Sequence, residues 1–417
     1  MTEVSAPACR SIAREVLQPA VVVGALGYFV DIYDLILFNI VRSASLTELG
    51  FAGDQLLSRG IFLFNFQMTG MLIGGIIFGI LGDRLGRVML LFSSILLYSA
   101  ANIANGFVHS IGAYAALRFI AGVGLAGELG GSITLVSEVL SKEARGYGTM
   151  IVATVGVLGA VAGGLVADLV NWRTAYFIGG GLGLVLLALR VSVAESGLFK
   201  QMHVREGQVS RGNFFSLFAS WARLGKYLCC IGIGMPSWFV IGILVAFSPE
   251  FAKALHIQGE IKAGHAVMFA YLGLAFGDFA SGFLSQILAS RKKVLFSFLL
   301  LTLAAIAVYF LAAGRSAAVF YAAILLLGIG VGYWAVFVTI AAEQFGTNIR
   351  ATVATTVPNF ARGAVVPITL GFKYCKGRLG IVPGALVIGL ACIVIALWAL
   401  RGLEETHGKD LDYMEII

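Results

Sequence analysis

Gly82-Asp83-Arg84-Leu85-Gly86-Arg87 is an island of charge between two apolar runs. The stretch around it, Gly79-Ile80-Leu81-Gly82-Asp83-Arg84-Leu85-Gly86-Arg87-Val88, returns in weathered form as Ser285-Gln286-Ile287-Leu288-Ala289-Ser290-Arg291-Lys292-Lys293-Val294. Basic residues persist in both copies, and the aspartate does not. A second pair of markers repeats at nearly the same offset: Glu138 with Arg145, and Glu343 with Arg350 at equal spacing. Two spaced markers sharing one offset indicate an internal duplication. Its period, roughly 200 residues, is far longer than the about 20–50 of solenoid repeats, so the chain reads as two related halves.

Composition places those halves in lipid. The hydrophobic share is 59 % and the charged share only 12 %, with 53 glycines, whereas a soluble domain carries about 25 % charged residues. Backbone polar groups in a bilayer must be satisfied within the segment, and about 20 apolar residues as helix cross the hydrocarbon. Twelve runs meet this, over 17–41, 60–81, 88–108, 110–139, 147–169, 173–194, 225–249, 264–289, 294–313, 316–341, 350–372 and 381–401. The expected fold is an all-α membrane protein with two pseudo-symmetric six-helix bundles, the arrangement of a secondary transporter. The first run lacks a small-residue cleavage site and continues at full length, so it reads as a retained helix and not a signal peptide.

Boundaries follow from polarity: an N-terminal segment over 1–16, bundles over 17–194 and 225–401, a polar linker over 195–224 and a tail over 402–417. Most of the 29 basic residues fall in segments that are cytoplasmic if the N-terminus is inside, which places both termini there. The net charge of +7 is thus a topology signal, and no basic, aromatic-laced surface suggests nucleic acid. The five cysteines form no disulfide or metal spacing. Short outside loops and the absence of an Asn-x-Ser/Thr sequon favour a bacterial inner membrane.

Several motifs carry a family resemblance across nearly the whole chain. Gly79 to Val88 resembles the loop between helices two and three of the major facilitator superfamily. Arg118-Phe-Ile-Ala-Gly122-Val-Gly124 resembles the Arg-Gly motif of its helix four. Gly127-Glu128-Leu129-Gly130-Gly131 followed by Glu138 and Arg145-Gly146 is similar to the pattern of the metabolite:proton symporter branch, with Leu129 in place of an aromatic. Asn171-Trp172-Arg173 with Phe177, Glu195-Ser196, and Asp31-Ile32-Tyr33-Asp34 resemble further signatures of that branch. Residues 156–164 resemble the antiporter motif of helix five except that Ala160 replaces its proline, which speaks against a drug-efflux antiporter. The resemblance implies the major facilitator fold, alternating access and proton-driven movement of a metabolite.

Asp31 and Asp34 lie three apart, so both share a helical face with Tyr28, Leu35 and Phe38. Charge at bilayer depth is costly, so that face should line a cavity or meet a cation, and paired buried carboxylates suit proton coupling. Arg118 and Arg362 fall near the midplane; each keeps its charge and offers a planar fork to an anion. Either they hold substrate, with Tyr28, Asn359 and Trp334 beside them, or each is neutralised by an aspartate: Asp31 or Asp34 for one, Asp278 for the other. Asp83, Arg84, Arg87, Glu128, Glu138 and Arg145, with Glu343 and Arg350 in the second half, are expected to form a cytoplasmic charge network that biases the two states of the carrier. Trp238, Phe239, Tyr333 and Phe337 are candidate lining aromatics.

Gly122-Val-Gly124-Leu-Ala-Gly127 spells a dinucleotide fingerprint but lies inside an apolar helix, where glycines serve close packing. Pro236, Pro358 and Pro367 should bend helices seven and eleven. No catalytic triad, metal cluster or cofactor motif is visible, which argues against an enzyme. The sequence therefore predicts a proton-coupled carrier of a small polar or carboxylated metabolite, working as a monomer in the bilayer without a cofactor. An exporter or exchanger, for instance of a metal chelate, and a ligand-binding sensor without transport remain open alternatives.

Overall fold

The computed structural model describes residues 15, 17–85, 87–128, 132, 140, 145–195 and 214–408. Glu138 lies outside them, as do the side chains of Asp83, Arg84, Arg87 and Arg145. The first bundle contains α1 (Pro19–Glu48), α2 (Asp54–Leu85), α3 (Arg87–Asn105), α4 (Ile111–Leu125), α5 (Arg145–Leu169) and α6 (Trp172–Glu195). A 3-10 turn over Phe214–Phe218 leads to α7 (Trp221–Phe239), which passes into a π-helical turn, Val240–Val245, and the short α8 (Ser248–Ala254). Then come α9 (Ala263–Ile287), α10 (Arg291–Leu311), α11 (Ala317–Val331), α12 (Trp334–Glu343), α13 (Thr347–Gly363), α14 (Val365–Leu379) and α15 (Ile381–Arg401).

Twelve spans result, because α11 with α12 forms the tenth and α13 with α14 the eleventh. Among the described residues nine are each long and apolar enough to cross a membrane alone; Met89–Asn105 and Ile111–Leu125 are shorter, and the eleventh is divided at Ala364. The outer surface is inverted relative to a soluble protein: Leu169, Leu311 and Trp398 stand out from it, as a lipid-facing belt requires. We call the face that holds both described chain ends proximal, and the opposite face distal.

Glycine sets how closely the spans approach, and it does so in related places. On α2 and α4, a Cβ on Gly70 would strike the Phe119 carbonyl, and one on Gly122 would strike the Gln67 carbonyl. On α9 and α11, the matching pair in the second bundle, Gly273 meets the Leu325 carbonyl and Gly328 the Ala270 carbonyl. Small residues of this kind let helix backbones touch where no hydrophobic effect drives them together. The duplication thus persists in packing as well as in the loop motif.

Irregular turns in the seventh and eleventh spans lie near their prolines, the eleventh dividing at Ala364 between Pro358 and Pro367. Pro236 lies one turn before the π turn, and Pro358 lies inside α13. The tenth span breaks at Gly332 and Tyr333 without proline, because the Cα atoms of Gly277 and Gly332 pack together where α9 crosses it. Freed carbonyls are recovered by side chains: Tyr309 donates to the Leu244 carbonyl at 3.0 Å, and Thr302 to that of Gly330 at 2.8 Å.

The first span runs beyond its expected end at residue 41, because Arg42 is buried and not a solvated flank. The bundles meet along α5 with α9 and α2 with α13.

Candidate functional site

Asp31 and Asp34 share α1 and are both sealed from solvent, yet they part company. Asp31 faces the seam between the bundles, where its Oδ2 stands 4.0 Å from Nη2 of Arg362 on α13. Asp34 turns into its own bundle against α6, where Gly179 leaves room for its carboxylate. No carboxylate oxygen of either residue meets a hydrogen-bond donor among the described residues. Buried charge in that condition is costly unless paired or protonated.

The two deep arginines differ in the same way. Arg118 is held within the first bundle: it donates to Asn102 Oδ1 at 3.1 Å and to the Asp34 carbonyl at 3.4 Å, and its guanidinium lies 5.5 Å from the Tyr176 ring centre and 5.9 Å from that of Phe38. Arg362 belongs to the seam. Besides Asp31 it reaches Asn359 Oδ1 at 3.4 Å and lies 5.8 Å from the Trp334 ring centre.

Asn359 acts as a bridge. Its amide donates to the Ala126 carbonyl of the first bundle at 2.8 Å and to the Thr355 carbonyl at 2.9 Å, so both donor hydrogens are committed. Tyr28 is buried on α1 one turn before Asp31, its ring lying against Gly156 of α5. Asp278 forms no ion pair with Arg362; its Oδ1 accepts from the Ala335 amide at 3.1 Å and so caps the first turn of α12. A short polar side chain is well suited to that position, since the amides of a helix start have no partner in the helix itself.

The expected cytoplasmic network is partly outside the described side chains, and Glu128 and Glu343 pair within their own bundles. Glu128 is buried against Arg190 and accepts from Ser132 at 2.9 Å, all within the first bundle. Gly27 on α1 makes room for this pair. Glu343 pairs with Arg291, the first of three basic residues in the second motif copy, at 3.3 Å, and accepts from Thr406 at 2.6 Å. Arg350 donates to the Phe345 carbonyl at 3.3 Å.

Besides Asp31–Arg362, the charged contacts between the bundles among the described residues lie on the distal face. Arg42 on α1 meets Glu250 on α8 at 2.8 Å, and also donates to the Ala246 carbonyl at 3.3 Å and the Leu56 carbonyl at 3.1 Å. Asp168 on α5 meets His265 on α9 at 2.8 Å, and Asp54 meets Lys376 at 3.9 Å. The sequence reading missed Arg42, Glu250 and Arg190. A signal was present in Arg42, an arginine within an apolar helix whose polar neighbours continue helical to Glu48.

Among the described residues no group of three or more His, Cys, Asp or Glu could hold a metal ion. Charge thus stands at the seam of the bundles, and further charged contacts join them on the distal face. The fold is similar to that of a proton:xylose symporter bound to 6-bromo-6-deoxy-D-glucose, with a TM-score of 0.70 at 15 % identity over 94 % of this chain and 97 % of the other. In sequence the chain is similar to the gentisate transporter of Corynebacterium glutamicum, 24 % identical over 93 % of this chain and 88 % of the relative. It is also similar to the niacin transporter NiaP of Acinetobacter baylyi, 26 % identical over 82 % and 84 %. The model of the Major Facilitator Superfamily matches residues 24–367, and the duplicated twelve-span bundle agrees with it: the chain is a metabolite transporter belonging to that superfamily.

Proposed function

We propose that the chain imports a small carboxylated metabolite, best an aromatic monocarboxylate, together with a proton. The observation that carries this is the Asp31–Arg362 pair across the seam. A guanidinium keeps its charge at any working pH, so it is a standing site for a carboxylate. With Asp31 ionised the site is already occupied by an internal anion. A substrate carboxylate arriving at Arg362 would put two negative groups on one cation in a medium of low dielectric, which is unfavourable. Protonation of Asp31 removes the competitor, so proton and substrate favour each other's binding.

The substrate class draws on the relatives: both gentisate and niacin are ring carboxylates, and the buried rings of Trp334, Trp238 and Phe337 beside Arg362 suit a planar ring. Asp34 and Arg118 then act from inside the first bundle, holding α1 in position and passing protons to Asp31. Alternating access needs two states separated by a few kcal/mol. Arg42–Glu250, Asp168–His265 and Asp54–Lys376 are the distal interlocks to be released, and the motif residues Asp83, Arg84, Arg87, Glu138 and Arg145 would supply the opposite bias. The basic bias of the proximal loops supports a cytoplasmic proximal face and an outer distal face, in the inner membrane of a bacterial cell. The carrier would work as a monomer.

Uptake of nicotinate and benzoate into proteoliposomes with an inward proton gradient tests this. Accumulation above equilibrium by the unaltered chain, abolished by a protonophore and by Asp31→Asn, is expected. Accumulation indifferent to the gradient would replace symport with facilitation or exchange.

A further inference from the structure

Trp334 opens α12 at the break in the tenth span. Its indole is buried, and its Nε1–H meets no acceptor among the described residues. An indole N–H is a donor only, so it gains nothing from a neighbouring donor. Native structures seldom leave such a group dry and unpaired, and where they do the cause is sought in function or in an absent partner.

The indole is held firmly. Its ring packs edge to face on Trp238, with centroids 6.2 Å apart, and against Phe337 at 4.8 Å. Its base is fixed by the bond from the Ala335 amide to Asp278 and by the contact of Gly277 with Gly332. Beside it, Nε of the Arg362 guanidinium is likewise buried and unpaired. A partly satisfied guanidinium and an unpaired indole N–H therefore stand together in an aromatic wall on the second bundle, the one cationic and the other neutral.

We propose that Trp334 forms a second substrate subsite, whose Nε1–H reads a hydrogen-bond acceptor carried on the substrate's ring while Arg362 holds its carboxylate. This rests on the carboxylate-uptake reading above and narrows it. The preferred ligand is a single planar ring bearing a carboxylate and a separate acceptor, such as a ring nitrogen or a phenolic oxygen. A ring with the carboxylate alone leaves the indole N–H unpaired. Sites built to hydrogen-bond a substrate reject the analogue lacking the group far more strongly than apolar pockets reject a missing methylene.

Nicotinate and benzoate isolate this contact, since they differ by a nitrogen in place of one ring C–H. Their competition against labelled nicotinate uptake is measured for the unaltered chain in proteoliposomes, then for Trp334→Phe and for Trp398→Phe, on the lipid-facing surface, as a control. The unaltered chain is expected to prefer nicotinate by roughly ten- to a hundredfold. Trp334→Phe should retain benzoate transport and fall to near parity, and Trp398→Phe should keep the preference. An unaltered chain that transports both ligands with less than a threefold preference by roughly the same reasoning overturns the subsite without touching the uptake reading. So does a Trp334→Phe variant with the full preference. If Trp334→Phe fails to fold, the comparison on the unaltered chain decides alone. Transport of neither ligand overturns both readings together.

Discussion

Asp31 on α1 and Arg362 on α13 face each other at 4.0 Å across the seam of the two bundles, both shut off from solvent. Each lacks part of the hydrogen bonding that a permanent structural ion pair would have: both Asp31 oxygens and the Arg362 Nε are without partners among the described residues. A pair this loosely satisfied gains little over its desolvation cost. It is suited to being exchanged.

Substrate affinity should therefore depend on pH through Asp31. In the proposed symport, protonation of Asp31 frees Arg362, so affinity should be greatest at acidic pH and weaken as pH rises. A coupling of about 1–3 kcal/mol corresponds to a change of about 5- to 150-fold. In Asp31→Asn the affinity should be high and flat with pH, counterflow exchange should persist, and uphill accumulation should vanish. Equilibrium binding across pH 5 to 9, in roughly unit steps, checks this. A variant that keeps the unaltered slope assigns the coupling to another group.

The distal interlock gives a conformational prediction. Arg42 is buried beneath Phe247, its guanidinium 4.6 Å from the ring centre, and Glu250 is its charged partner across the seam. Glu250→Gln weakens a charge-assisted contact worth about 1.5–3 kcal/mol, which is enough to shift a two-state balance by about tenfold or more. Spin labels at Gly53 and Gly259, in a cysteine-free background, should report a larger share of long distances. An unchanged distance distribution would show that Arg42 and Glu250 do not hold the distal face closed.

Much of this was legible in one dimension. The twelve spans, the duplication and the depth of Asp31, Arg118 and Arg362 follow from apolar run length and from the rarity of charge inside it. Which way each residue turns does not. Asp31 and Asp34 are three apart and read as one face, but the close crossing of α1 and α6 at Gly179 takes Asp34 out of the seam. Arg190 and Arg42 sit near span ends, where a buried arginine and a solvated flanking one look alike in sequence. Glu250 gives no sign of its partner, because the contact joins positions in different halves of the chain.

Gly27 offers a test of the buried Glu128–Arg190 pair. A Cβ there would collide with both head groups, so Gly27→Ala should force them apart. Breaking a buried pair costs about 3–5 kcal/mol, whereas replacing both members by apolar side chains is often neutral. Gly27→Ala should thus lower the denaturation midpoint in detergent clearly, and combining it with Glu128→Met and Arg190→Met should restore much of the loss. Full stability of Gly27→Ala by itself would mean that the pair relaxes without cost.

The chain end supplies a prediction outside the membrane. Residues following α15 fold back onto the proximal end of the second bundle: Glu405 accepts from the amides of Arg291 at 2.9 Å and Lys292 at 3.1 Å, and also from the Ser290 hydroxyl, at the start of α10. Partial burial works to raise the Glu405 pKa, but hydrogen bonds from Ser290 and from the His407, Arg291 and Lys292 amides outweigh it and hold the carboxyl at about 2 instead of 4.5. The ionised form is thus favoured in the folded state, as expected of a carboxylate at a helix N-terminus. A depressed folded pKa stabilises above the unfolded value and ceases to do so as pH falls through the folded one. Glu405→Gln should accordingly lose about 1 kcal/mol near neutrality, the size of a lost helix cap. The gap between variant and unaltered chain should close as the pH is lowered from about 4.5 to about 2. Thermal denaturation in detergent over that range measures it, and a gap independent of pH would assign the effect of the substitution to packing and not to the charge.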